Sequence, residues 1–374
     1  MQWIEYNNKV LSGEKINPEY DVLALKSYFE DNINPNTVFF HDVEEKIEYM
    51  TSKGYWDKDV ISKFSLEEVK LVFKKAYSYK FRFESFMGAY KFYTDYALQT
   101  PDKKRWLERY EDRMSITALT HTNNIEDALE MVDYLIHQRF VPATPTLMNS
   151  GRGNAGRLVS CFLLSTMTDN SPSINRTLDF VANLSSGGGG IGVLCDDIRA
   201  AGEPMRGIEN VTKGVVGVAK LLDNQLRYFN QAGMRLGAGA IYLSVLHPDF
   251  MDVMSAKKPA VDEDKRLKTL SIGVKIPDIV YQKAKNDEDV YQFYPYSLFQ
   301  ETGRVFSDID WTKEYEVLAE NPNIRKTRIS ARKILEEIAI TQAESGYPYI
   351  LNIDTANAAN PIPNVATIKM SNLC

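Results

Sequence analysis

The chain has 374 residues, 44% of them hydrophobic and 25% charged, with a formal net charge of -6. That length accommodates more than one domain and a large core, and the balance is that of an ordinary soluble globular protein. Lysines and arginines are spread thinly, densest at "RKTR" (Arg325–Arg328), which excludes nucleic acid as a whole-surface partner because that needs a concentrated basic face.

The first residues, "MQWIEYNNKV", lack the basic start and apolar run of a signal peptide. No later stretch approaches the apolar length of a membrane span, so no membrane partner is expected. "SLEEVKLVFKKAYSYKF" predicts a helix capped by Ser65, with Glu68 completing a capping box and Leu66, Val69, Val72, Phe73 and Ala76 at helical spacing. "NIEDALEMVDYLIHQRF" repeats the logic: Asn124 caps, and Ile125, Ala128, Leu129, Val132, Leu135 and Ile136 form the stripe. Both stripes read as core.

After Pro142 the texture changes. "VPATPTLMNSGRGNAGRLVSC" reads as loop and turn, and "LVSCFLLS" as a short buried strand. "SPSINRTLDFVANLS" predicts a helix with Ser171 as cap and Pro172 at its first position. "GGGGIGVLC" reads as loop into strand, and "NQAGMRLGAGAIYLSV" as a second glycine-rich loop. "SARKILEEIAITQAESG" is an amphipathic helix capped by Ser330 and ended by Gly346, and "YPYILNID" is the next strand. This alternation predicts an α/β layered or barrel domain over 156–374, behind a mainly helical domain over 1–155.

Gly187, Gly189 and Gly192 satisfy G-x-G-x-x-G, with Glu209 at a tempting distance. A dinucleotide fingerprint needs a strand before it and a helix after it, whereas here the order is reversed. Four glycines allow close backbone approach to something flat or anionic, and equally a tight turn against a neighbouring strand. "DDIRAAGEPMRG" carries Arg199 and Arg206 around a Gly-Glu-Pro turn. Two arginines on one loop suit a polyphosphate, and also suit a solvated loop with surface ion pairs. Three cysteines, Cys161, Cys195 and Cys374, are too few for a disulfide framework. The chain reads as cytoplasmic, where a cysteine is either a small buried residue or a redox or radical group. The four histidines are scattered and no Cys-x-x-C occurs, so no metal is expected in this chain.

Taken in order, "ATPTLMNSG", "SCFLLS", "GGGGIGV", "RAAGEPMRG", "NQAGMRLGAGAIYL", "RKTRISAR", "ESGYPYI" and "MSNLC" closely resemble the large (α) subunit of ribonucleoside-diphosphate reductase, of the class Ib type. The resemblance implies an N-terminal helical domain followed by an incomplete ten-stranded α/β barrel with a central finger loop. It implies reduction of ribonucleoside diphosphates to deoxyribonucleoside diphosphates by thiyl-radical chemistry, supplying DNA precursors. Cys374 takes the thiyl role, Asn372 bonds the ribose hydroxyls, and Cys161 is one of two thiols that finish as a disulfide. Thr144, Ser160 and Gly190 contact substrate, and Arg235, in the loop linking effector to substrate, reaches it as well. Asp169, Arg199 and Arg206 hold a deoxynucleoside triphosphate or ATP effector. Cys195 matches no functional position and reads as a buried apolar residue. An external thioredoxin- or glutaredoxin-type reductant and a radical-generating small (β) subunit with a dimetal site are implied, together with a homodimer.

A chain of this family is expected to continue beyond Cys374, to a glutamate base, a second reducing cysteine, a phosphate loop and paired tyrosines. The sequence therefore reads as the N-terminal piece of an interrupted large subunit (split gene, intron or intein), completed by a C-terminal remainder. The other readings are a catalytically dead fragment and a nucleotide-binding regulatory protein.

Overall fold

The computed structural model describes residues 2–10, 17–153, 156–165, 167–187, 189–229 and 238–373. The chain divides into two compact units, 1–160 and 161–374.

The first unit is helical. Its longest helix, Leu66–Ser78, begins where the sequence directs: Ser65 accepts from the Glu68 N–H and Glu68 returns a bond to the Ser65 backbone. Val69, Val72, Phe73 and Ala76 face inward. They meet Ala128, Val132, Leu135 and Ile136 of the helix Ile125–Ile136, capped by Asn124. Trp56 and Phe86 fill the rest of this core with other aromatics. At its centre the fully buried Glu108 accepts from Trp56 Nε1 at 2.7 Å, Leu98 N at 3.0 Å and Arg113 Nη1 at 3.3 Å. Arg113 also donates to Ser150 O. Burial alone raises the Glu108 carboxyl, but Arg113 and Arg152, with those hydrogen bonds, outweigh it and hold it below the ordinary carboxylate range.

The second unit is built on a parallel sheet. Its strands are β1 (Cys161–Leu164), β2 (Gly190–Leu194), β3 (Ala238–Ser244), β4 (Ser271–Ile276) and, after an antiparallel pair β5 (Asp289–Phe293) and β6 (Lys326–Ser330), β7 (Tyr349–Asn352). The sheet order is β1-β2-β3-β4-β7 and every pairing in it is parallel. Helices Ser171–Ser186, Gly214–Tyr228 and Ala331–Ser345 fill crossovers between these strands, the arrangement that lets parallel neighbours form. The architecture is thus a helical domain followed by an α/β barrel-type parallel sheet, and among the described residues the strands do not close into a ring.

The two faces of the sheet differ by the alternation of a strand. Ile191, Val193, Ile241, Leu243, Ile272 and Val274 join the large core under the helices. Leu194, Ala240 and Tyr242 point the other way and pack with Met370 and, at the edge, Leu373. The sequence predicts a buried β1, yet the strand alternates between exposed and half-buried residues because it lies at one end of the strand order. The "AGAIYLS" stretch, read from the sequence as part of a glycine-rich loop, is the central strand β3. Asn170, not Ser171, caps the helix Ser171–Ser186 by accepting from Ser173 N, which puts Pro172 at its second position. No described helix is long and apolar enough to cross a membrane.

Candidate functional site

The inner face of the sheet carries small residues where a chain segment passes. Built onto Gly192, a Cβ would lie 2.3 Å from Ser371 O, and onto Gly273, 2.3 Å from the Tyr242 ring. Gly192 therefore lets the backbone of 370–373 lie directly on β2, and Gly273 lets the Tyr242 ring lie across β4. From there the Tyr242 hydroxyl donates to Asn372 O at 3.0 Å. Burial raises the Tyr242 phenol, keeping it a protonated donor.

Asn372 completes the attachment. Its Nδ2 donates to Phe162 O at 2.8 Å and Gly190 O at 3.0 Å, and its Oδ1 accepts from Leu373 N at 2.6 Å. Phe162 and Gly190 lie at the starts of β1 and β2, where Cys161 pairs in register with Gly190. Three of the residues singled out from the sequence, Cys161, Gly190 and Asn372, thus meet at one end of the sheet. Cys161 is exposed there. At the opposite end Lys369 pairs with Asp308 and approaches Ser307 Oγ at 3.4 Å. The segment 366–369 there lines a cavity of about 470 Å³ together with Ser244 and Lys275. The terminal segment is therefore held at both ends of the sheet, with Cys374, itself outside the described residues, covalently next to Leu373.

A second constellation forms where β2 gives way to the "DDIRAAGEPMRG" turn. Arg199 Nε donates to Asp169 Oδ2 and Arg199 Nη1 to Pro204 O. Asp169 and Arg199 line a cavity of about 970 Å³ with Lys213, Lys220, Lys265 and Asp249. Asp249 accepts from Ala201 N at 2.9 Å and Val215 N at 2.8 Å, fixing the cavity wall. Arg206 stands exposed further along the turn, at φ +52°, and does not line this cavity. Sequence reasoning misses Lys213, Lys220 and Lys265, since single lysines carry no motif.

Thr144 and Ser160 belong to the helical unit. Thr144 opens the helix Thr144–Asn149 and its Oγ1 is 3.0 Å from the Tyr96 hydroxyl. Ser160 directly precedes β1. Arg235 lies outside the described residues. Cys195 is fully buried, and burial followed by Asp196 and Asp197 raises its thiol, so it is an inert core residue. Among the described residues no group of three His, Cys, Asp or Glu comes together to hold a metal ion.

Fold and site together define an α/β barrel-type protein with an all-α unit ahead of it, an exposed thiol at the strand starts and a segment laid along the inner face. The family model for the ribonucleotide reductase barrel domain matches residues 159–374, and those for the N-terminal and all-alpha domains match 3–81 and 82–155. The chain belongs to the ribonucleotide reductase large-chain family. It is 48% identical over 375 residues to the ribonucleoside-diphosphate reductase NrdEB subunit alpha of Bacillus subtilis, covering 100% of this chain and 34% of that protein. It is 46% identical over 376 residues to the ribonucleoside-diphosphate reductase subunit alpha of the same organism, covering 54% of that protein. The large subunit of vaccinia virus is 29% identical over 373 residues, 46% of its length. The chain thus spans about a third to about half of the length of these relatives.

Proposed function

We propose that the chain is the part of a ribonucleoside-diphosphate reductase large subunit that carries one reducing thiol, the finger loop and the effector site. The observation that carries this reading is the convergence of Cys161, Gly190 and Asn372 at one end of the sheet, beneath a segment whose next residue but one is Cys374. In this reading Cys374 as a thiyl removes the 3′ hydrogen of a ribonucleoside diphosphate. The 2′ hydroxyl leaves as water. Cys161 and a second thiol outside this chain supply two electrons and two protons and become a disulfide, and the Cys374 S–H returns the 3′ hydrogen. Thr144, Ser160, Gly190, Asn372 and Arg235 hold the substrate.

The cavity with Asp169 and Arg199 takes the deoxynucleoside triphosphate or ATP effector, with Arg206, on the same turn but outside the cavity lining, as a further contact for the phosphates. A mixed lining of arginine, lysines and fixed carboxylates suits a polyphosphate joined to a hydroxyl-bearing sugar. The partners in this reading are a second copy of the chain, a small subunit with a dimetal radical site, a thioredoxin- or glutaredoxin-type reductant, and the remaining length seen in the relatives. The test is conversion of CDP to dCDP by this chain assembled with that remaining length and a small subunit. Product that depends on all three supports the reading; none, with each component folded, overturns it.

A further inference from the structure

Three contacts fix the Arg199 guanidinium. Asp169 and the Pro204 carbonyl take Nε and Nη1, and the guanidinium carbon lies 4.4 Å from the centre of the Tyr296 ring. The first two use up hydrogen-bond donors on the guanidinium edge. The third covers one face and uses none. Tyr296 is fixed in turn. It is the second residue of the helix Pro295–Thr302. The N–H groups of Tyr296 and Ser297 donate to the carboxylate of Glu203 at 3.4 and 3.2 Å. The same carboxylate accepts from Ala200 N at 2.7 Å, and Glu203 is 1% exposed. A buried side chain thus ties the turn that carries Arg199 to the helix that carries Tyr296.

We propose that Tyr296 is a positioning residue for anion recognition: its ring holds the Arg199 guanidinium plane so that Nη2, which neither Asp169 nor Pro204 engages, serves a polyphosphate in the 970 Å³ cavity. This rests on the reading of that cavity as a nucleoside triphosphate site. An aromatic face is suited to the role because it attracts the cation without neutralising it. Asp169 already takes one edge of that charge, and a second carboxylate in place of the ring would take more of it from the phosphate.

The test is calorimetric titration of dATP into the wild-type chain and into Tyr296→Leu, Tyr296→Phe, Arg199→Ala and the Arg199→Ala/Tyr296→Leu pair, with each variant's melting curve taken first. Loss of the ring is expected to weaken dATP about tenfold, from the upper range of cation–π strengths. Tyr296→Phe, which keeps the ring, is expected to bind within about twofold of wild type. In the Arg199→Ala background, removing the ring is expected to cost nothing further, an outcome that a merely structural role for Tyr296 does not produce. Unchanged affinity in Tyr296→Leu, or an equal loss with and without Arg199, overturns the proposal while leaving the site reading intact. If Tyr296→Leu does not fold, a loss of affinity in Tyr296→Phe as large as that in Arg199→Ala overturns it. A wild-type chain that binds no dATP overturns the site reading and this proposal with it.

Discussion

Gly192 carries the terminal segment more directly than any polar group does. With Ser371 O only 2.3 Å from where its Cβ would stand, Gly192→Ala forces the segment away from β2, while the helix-packed face of the strand is unchanged. The predicted outcome is faster amide exchange at 371–373, together with a stability loss of about 1–3 kcal/mol, as for other overpacked sites. Tyr242→Phe, which removes the bond to Asn372 O and keeps the ring, is expected to cost about 1 kcal/mol. Hydrogen exchange read by mass spectrometry on both variants checks the contrast.

Glu108 is the corresponding residue in the helical unit. Removing its charge takes away the carboxylate paired with the fully buried Arg113 and the half-buried Arg152, so Glu108→Gln is predicted to destabilise the unit by about 3 kcal/mol at neutral pH. Because the folded carboxyl sits below its ordinary value, the stability it contributes is present above the unfolded carboxylate pKa. That stability is lost as pH falls through the depressed folded one. The gap between wild type and variant should therefore narrow on acidification, which denaturant melts at a series of pH values below 5 would register.

At the scale of elements, the helices are legible in the sequence and the strands only in part. Ser65 with Glu68, Asn124, and Ser330 with Gly346 mark true helix boundaries, because a cap is a local hydrogen bond between near neighbours. Ser65→Ala is accordingly predicted to cost about 1 kcal/mol, visible as a lowered melting temperature. The glycine run is no dinucleotide loop, since the helix Ser171–Ser186 precedes it and β2 follows. β3 is hidden because Gly239 sits inside it, close in sequence to Gly233 and Gly237, and its pairing is non-local. β4 and β6 differ: "SIGVKI" alternates Ile272, Val274 and Ile276 with small or charged residues, the period of a strand, whereas "KTRIS" carries little that distinguishes it from loop until a neighbour supplies hydrogen bonds. Cys161, Gly190 and Asn372 come from the family resemblance. Their meeting depends on Gly192 and Tyr242, whose roles follow only from the distance between β2 and a segment far along the chain.

At the scale of the molecule, each unit has its own core, and the chemistry is assigned to the second. Its sheet buries β2, β3 and β4 completely or nearly so and leaves apolar side chains of its outer strands open, Leu163 at 54% and Ile350 at 45% exposure. Such edges suit further pairing, consistent with relatives two to three times as long in which the same residues form only part of the protein. In the proposed reading, activity belongs to the assembled enzyme, and Cys161 is the residue through which this chain's geometry would enter the reaction. The most direct measurement is a single turnover of CDP by the assembled enzyme without external reductant, comparing wild type with Cys161→Ser while confirming that both bind dATP. Wild type is expected to give dCDP, with two thiols lost for each product formed, and the variant none; dCDP from Cys161→Ser at the wild-type level would rule Cys161 out as a reducing thiol.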